Sequence, residues 1–310
     1  MPILRKTKES LKICLRKVWE FGQKFGFDLL PQHYYSNLPN IQCLKKERDW
    51  QNPRSMYKIG GKERSKQLSF ISECIRGKYL QDLVKKRDIY TNASLKNGDE
   101  GFGPIEADFL FCFIFTKKPK KIIQIGCGLS TAVILEASSA AQYKPKIICI
   151  DPYPNKFLKN LSKQHKITLL ADKAQKIPLH RIVDIKGGDL LFIDSTHMVK
   201  PGSEVGRLII EVLPRLPRGT FIHFHDITFP YDYPRHLLTR DLFYPNETIM
   251  LYAFLVNNPN FVIRASLSML HYGVRSKLKK LLPNYKPATD KFGLETIKGH
   301  YPSSIFLEVV

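Results

Sequence analysis

The sequence lacks the run of about 18 consecutive apolar residues that a bilayer-spanning helix needs, so no transmembrane segment is expected. Its first residues, Met1 to Lys17, are basic but have no continuous apolar core, so no secretory signal is expected there. Cysteine pairing signatures are missing too. Cys14, Cys43, Cys74, Cys112, Cys127 and Cys149 show no CxxC spacing, and several sit inside apolar runs. That pattern reads as small core residues in a reducing, cytoplasmic compartment. Internal repeats and low-complexity tracts are absent, which argues against a repeat array or a disordered chain. Acidic residues are scarce: 28 Asp and Glu stand against 49 Lys and Arg, a formal charge of +21 with His neutral. Such a field favours anionic partners, whether nucleic acid, acidic lipid or a phosphorylated substrate, and says nothing about fold.

What is present is enough apolar residue, 43%, for a sizeable core. Residues 1–95 read as helices and loops, a helical N-terminal extension or cap. Leu4, Leu11, Leu15 and Val18 form an apolar stripe among Lys and Arg. Packing on the protein's own body is its first reading, and peripheral contact with an anionic membrane is the second. Leu68, Ile71, Ile75, Leu80 and Leu83 predict a helix over 65–86, and a further helix is predicted at 105–116. From Lys121 short apolar runs alternate with helical segments: Ile122–Ile125, Ile147–Ile150, Thr168–Leu170, Leu190–Ile193 and Thr220–Phe224, with Phe261–Ile263 and Ser304–Val309 near the end. Unbroken apolar strands separated by helices predict a mainly parallel sheet buried on both faces. The fold class is therefore α/β: a doubly wound, seven-stranded, Rossmann-like sheet over 96–310 behind the helical extension. The basic, Gly- and Pro-punctuated stretch at about 272–300 reads as an insertion or loop.

After the first strand comes Gly126-Cys127-Gly128-Leu129-Ser130-Thr131, where glycines let the backbone turn tightly and approach a ligand. A dinucleotide fingerprint would want a third Gly at position 131, which is Thr. Asp151 ends the second strand, where an acid accepts hydrogen bonds from ribose hydroxyls; its plainer reading is the start of the Asp151-Pro152 turn. Ile123 to Thr131 resembles the first motif of class I methyltransferases, and Ile150-Asp151-Pro152 resembles the second. Gly188 to His197 through Phe224-His225-Asp226 is similar to the bacterial methyltransferase-24 family, a likeness covering about 100–310. The resemblance implies S-adenosylmethionine as cofactor, held by Gln124, Gly126, Gly128, Ser130, Asp151 and Asp194. Gln124 departs from the family, which usually carries an acid there beside the methionine end of the cofactor.

Asp194 and Asp226 end the fourth and fifth strands, which are neighbours in the class I order. Two carboxylates at one rim repel unless a proton or cation lies between them. Mg2+ or another divalent cation on Asp194 and Asp226 is one expectation, with His197 and His225 as further candidate ligands. His225 is alternatively a general base, with Asp194, His225 and Asp226 as the catalytic set. His223 reads as a core histidine bonded to a neighbouring helix. Asn246 and Glu247 read as a helix N-cap with a first-turn acid. Phe229–Pro234 is a Pro-stiffened loop whose Tyr and Asp either stack on an acceptor or pack as ordinary loop.

The leading expectation is an enzyme that O-methylates a sugar, glycan or other small hydroxyl acceptor, an anionic one if the charge serves it. An RNA methyltransferase or RNA-binding protein using the basic surface is the alternative, opposed by Asp194-Ser195-Thr196-His197 where base methylation favours an Asn/Asp-Pro-Pro-aromatic signature. An NAD-dependent oxidoreductase is disfavoured by Thr131. A non-catalytic binding protein on the same fold is kept open by Gln124.

Overall fold

The structure is a computed structural model that describes residues 2–75, 77–234, 237, 243–286 and 301–310. It divides into two compact units, Met1–Trp50 and Gln51–Val310. The first contains helices α1 (Pro2–Lys24) and α2 (Ile41–Lys46). The second opens with α3 (Arg64–Ile75), α4 (Gly77–Lys86), α5 (Ile89–Asn97) and α6 (Pro104–Lys117). Alternation follows: β1 (Lys121–Ile125), α7 (Leu129–Ala140), β2 (Lys146–Ile150), α8 (Lys156–Lys163), β3 (Thr168–Leu170), α9 (Leu179–Ile182), β4 (Leu190–Ile193), α10 (Glu204–Arg207) and β5 (Phe221–Phe224). Then come α11 (Glu247–Leu255), β6 (Phe261–Ser266), α12 (Leu267–Leu281) and β7 (Ile305–Val309).

The strands form one seven-stranded sheet in the order β3-β2-β1-β4-β5-β7-β6, parallel except that β7 runs antiparallel to both its neighbours. Side-chain alternation splits the core into two layers. Ile122, Leu190, Phe192, Phe221 and Phe306 face the layer built by α3 to α8 and α12, while Ile123, Ile125, Leu191, Ile193, Ile222, Phe224 and Leu307 face the layer of α9 to α11. Both faces are covered, which is why these strands read as continuous apolar runs.

Helices α3 to α5 belong to the sheet-bearing unit rather than to a separate cap over 1–95. Ile71, Cys74, Leu80, Ile89 and Ala93 are buried in the same cluster as α6 and α7, and Gly60 pairs along the free edge of β6. The single helix expected over 65–86 is two, the second opening at Gly77 with φ +78°. Residues 272–281 of the expected insertion continue α12, with a kink at Val274. The reason is that Leu270 and Leu278 are buried while Lys277, Lys279 and Lys280 stay on the outer side. The remainder, 287–300, lies outside the described residues.

Gly126 closes β1 at φ +79°, and a Cβ there would sit 1.6 Å from the Asp194 carbonyl oxygen. The turn therefore accepts no side chain while β1 and β4 stay paired. Gly126→Ala is expected to cost more than about 2 kcal/mol in urea unfolding. A variant within 0.5 kcal/mol of the parent, an ordinary surface effect, would show that the turn relaxes freely.

Candidate active site

The order of the strands reverses direction between β1 and β4, the place where open α/β sheets bind ligands. A cleft of about 390 Å³ lies there, lined by Ile125, Gly126, Ile150, Tyr153, Asp194 and Ser195 among others. That volume falls within the range of small-molecule sites. Asp151 braces its wall: Oδ2 accepts from the Cys127 N–H at 3.2 Å and Oδ1 from the Tyr153 N–H at 2.8 Å. The turn-starting reading accounts for both bonds, and two bonded N–H groups leave a carboxylate further lone pairs. Ser195 lines the same cleft beside Glu204, its hydroxyl buried and without a partner at hydrogen-bond geometry among the described residues.

Beside the cleft, parallel pairing carries Asp194 and His225 one step past the β4–β5 ladder, with the Asp194 N–H donating to Ile125 and the His225 N–H to Ile193. Asp226 follows in a left-handed conformation, φ +56°, which turns its carboxylate back to the rim. Two histidines then stand against two acids. His197 Nε2 lies 3.5 Å from Asp194 Oδ1 and 3.4 Å from Asp226 Oδ2. His225 Nδ1 lies 3.6 Å from Asp194 Oδ1 and 3.4 Å from Asp226 Oδ1. The acids are the accessible members, at 25% side-chain exposure for Asp194 and 49% for Asp226, whereas the histidines are buried behind them.

The electrostatics follow. Burial pushes both carboxyls up, but the nearby positive charges of His225 and His197 outweigh it and hold both well below the usual range. Burial pulls the histidines down, yet the carboxylates reverse this. His197 is raised to about 10, and His225 is raised well above its ordinary value. Three outer groups secure the quartet. Glu247 Oε2 meets His197 Nδ1 at 2.8 Å, the Ser303 hydroxyl donates to Asp226 Oδ1 at 2.9 Å, and the Ser303 N–H donates to buried Glu106 at 2.8 Å.

Residues 123–227 match a family model whose description is methyltransferase domain. Over this segment, about a third of the chain, the protein is similar to the methyltransferase-24 family. An uncharacterized protein of Archaeoglobus fulgidus is 25% identical over 133 residues, 42% of this chain, and the chain spans 60% of that relative's length. Two solved structures were also matched. The SAH-bound methyltransferase PaMTH1 of Podospora anserina has 12% identity and a TM-score of 0.39, with 92% of this chain and 99% of that chain covered. The plantazolicin methyltransferase BpumL in complex with SAH has 13% identity and a TM-score of 0.37, covering 78% and 95%.

The expected cofactor residues divide. Gly126 and Asp194 line the cleft and Asp151 bonds the backbone of Tyr153 in its wall, whereas Gln124 is fully buried and turned inward. Its Nε2 donates to Ser130 Oγ at 3.1 Å and its Oε1 accepts from Thr131 Oγ1 at 2.9 Å. It ties β1 to the first turn of α7 and leaves neither its own amide nor the buried Ser130 facing a ligand. Gly128 lies against the Asn97 side chain. The expected metal pair Asp194 and Asp226 does meet, with His197 and His225 beside it. Among the described residues, however, no group of three or more His, Cys, Asp or Glu is arranged to hold a metal ion.

His223 is the core histidine expected, stacked on Phe192 at 4.2 Å, but its Nε2 bonds Ser304 next to β7 rather than a helix. In the loop after β5, Asp232 is held by Arg54 and the Tyr231 ring packs on Tyr272 at 4.6 Å, so both are engaged internally. Sequence reasoning missed Glu106 and Ser303, and read Glu247 only as a first-turn acid. Asn246 stands at the N-cap of α11 without capping it, since its side chain clamps the Val199 backbone instead.

Burial pushes the Glu106 carboxyl up to about 7, partly offset by His225. A carboxyl that holds its proton more tightly when folded contributes stability below its unfolded value of about 4.5, and that contribution is lost as pH rises through 7. Asp108, also raised to about 7 by burial, acts in the same window. The chain is therefore expected to lose unfolding free energy between pH 4.5 and 7, and Glu106→Gln to remove part of the slope. An unchanged slope in urea titrations of the variant would place the loss elsewhere.

Proposed function

We propose that the chain is an S-adenosylmethionine-dependent methyltransferase acting on a hydroxyl of a small molecule or glycan. One observation carries the reading: Asp194 belongs at once to the cleft at the β1–β4 switch and to the charged quartet beside it. A ligand bound in the first is therefore adjacent to acid–base groups in the second. The cleft suits this cofactor chemically. Asp151 offers lone pairs to ribose hydroxyls, Asp194 offers negative charge near a sulfonium, Ser195 offers a hydroxyl, and Gly126 lets the backbone approach.

When bound, the cofactor supplies an electrophilic methyl group on a positively charged sulfur that leaves as a neutral thioether. The protein's part is to hold the acceptor oxygen in line and take its proton. Asp226, the most exposed of the four, accepts the hydrogen bond of the acceptor hydroxyl and then its proton. His225 does not serve as the base in this arrangement, because its Nδ1 is turned to the carboxylates and they favour its protonated form. Both imidazoliums instead hold the two carboxylates ionised at the rim. Glu247 fixes the His197 ring so that its second nitrogen faces both acids.

Calorimetry is expected to detect S-adenosylmethionine and not NAD, and Asp151→Ala to weaken the cofactor by on the order of 2–4 kcal/mol. NAD binding without cofactor binding would end the reading. Turnover is to be sought with methyl-labelled cofactor against glycosides, catechols and RNA; transfer to RNA bases alone would replace the hydroxyl assignment. With an accepted hydroxyl substrate, Asp194→Asn and Asp226→Asn should each lower kcat at least about 100-fold, Asp226→Asn with near-normal cofactor binding and Asp194→Asn with weaker cofactor binding as well. The double variant should be little worse, because residues acting as a unit are not additive. Chelation is expected to leave turnover intact; its loss, with rescue by magnesium or manganese, would restore a divalent cation at Asp194 and Asp226.

A further inference from the structure

The unit Met1–Trp50 handles its apolar residues unlike the rest of the chain. Between residues 11 and 50 only Gly22 is buried, and no large apolar side chain there reaches a core. On α1, Leu11, Leu15 and Val18 recur at the i, i+4, i+7 spacing of one helical face, at 60%, 37% and 42% exposure. Phe21 and Phe25 extend that face, their rings 4.9 Å apart. The end of the stripe is built rather than frayed. Gly26, at φ +79°, reverses the chain, the Phe27 N–H returns to the Gly22 carbonyl, and the Phe27 ring lies where any Cβ on Gly22 would meet it at 3.0 Å. Asp28 locks the reversal by accepting from Trp19 Nε1 at 2.7 Å and from Gln23 at 2.9 Å. Exposed Leu29 and Leu30 follow directly.

Charge indicates what covers this face. Residues 1–30 hold seven Lys and Arg against three acids, and one of those acids, Glu20, is paired with Arg16 at 2.8 Å. Lys12, Lys17 and Lys24 stand exposed off the apolar stripe. A helix with an apolar face, cations beside it and aromatic residues at one end lies in the plane of an anionic membrane. It cannot cross one, since among the described residues no helix is long and apolar enough. We propose that α1 and the Phe27–Leu30 turn form an in-plane docking surface for an anionic lipid bilayer, with Leu11, Leu15, Val18, Phe21 and Phe25 entering the acyl boundary and Lys12, Lys17 and Lys24 reaching the headgroups.

The test uses the full chain and vesicles of phosphatidylcholine, alone or with 30 mol% phosphatidylglycerol on the order of physiological anionic content. Co-flotation is expected with the anionic vesicles only, falling several-fold on raising salt from about 0.1 to 0.5 M as screening shortens the field. The two tryptophans of the chain, Trp19 and Trp50, both lie in this unit, so emission should shift to the blue on binding. Leu15→Glu with Val18→Glu, and separately Lys12→Glu with Lys17→Glu, should each reduce partition at least about tenfold without moving the unfolding midpoint. The second variant leaves the apolar stripe intact and so keeps the test valid if the first misfolds. No partition into anionic vesicles, or equal partition into neutral ones, would overturn the proposal. So would an unfolding midpoint that drops with Leu15→Glu in the absence of lipid, which would mean that the stripe packs on the chain's own surface. A dimer in sedimentation that Leu15→Glu dissolves, without vesicle binding, would overturn it in favour of self-association.

Discussion

Two like charges brought to one rim by a parallel sheet form the constraint around which the candidate site is arranged. Adjacent strands β4 and β5 lie about 4.8 Å apart, and Asp194 and Asp226 follow their ends, so repulsion must be met by something positive within a few ångströms. Here the positive charge comes from His197 and His225, each set between both acids. Burial opposes charge on all four groups, and only their mutual proximity reverses that preference. The quartet is therefore cooperative: removing one imidazole leaves two carboxylates facing each other, and removing one carboxylate leaves charged imidazoles without their counter-ion.

Holding four charged side chains this closely requires backbone control from distant parts of the chain. His197 and Asp226 both take left-handed conformations, at φ +58° and +56°, which non-glycine residues rarely adopt unless their surroundings impose it. The surroundings are visible. The Asn246 and Glu247 N–H groups donate to the His197 carbonyl, Asn246 clamps Val199, and the Ile227 N–H donates to Ser303 just before β7. Helix α11 and the antiparallel strand β7 thus do more than complete the fold. They fix the two turns on which the charges stand.

The same facts explain how much could be read from the sequence. All seven strands appear there as apolar runs, because a sheet covered on both faces leaves its composition in each strand, and the Gly126 turn is legible because no other residue fits against the Asp194 carbonyl. Asp194, His225 and Asp226 are legible because they directly follow strands. Glu247, Glu106 and Ser303 are not, since their roles depend on pairings 50 to 197 residues away in the chain. The bonds of Gln124 are not legible for a related reason. Strand alternation puts it on the α7 side of the sheet, where Ser130 and Thr131 satisfy its amide, and motif position alone does not reveal which neighbour takes it. The composition of the basic tract after 272 predicts a loop, although apolar Leu270 and Leu278 keep helical spacing through its first part.

The two units also use apolar surface in opposite ways. In Gln51–Val310 even polar groups near the site are drawn inside and must be satisfied there, as the Gln124 and Ser303 bonds illustrate. Between residues 11 and 50 the apolar side chains stay outside, ordered by a helix and by a turn locked through Trp19 and Asp28. An ordered exposed stripe has a standing cost in water of roughly 25 cal/mol for each Å² of apolar area left uncovered. Loss of order would not relieve that cost, since the side chains would remain wet, whereas a covering surface would. The excess of Lys and Arg narrows the choice of surface toward an anionic one, which gives part of the +21 charge a role separate from the chemistry at the sheet rim.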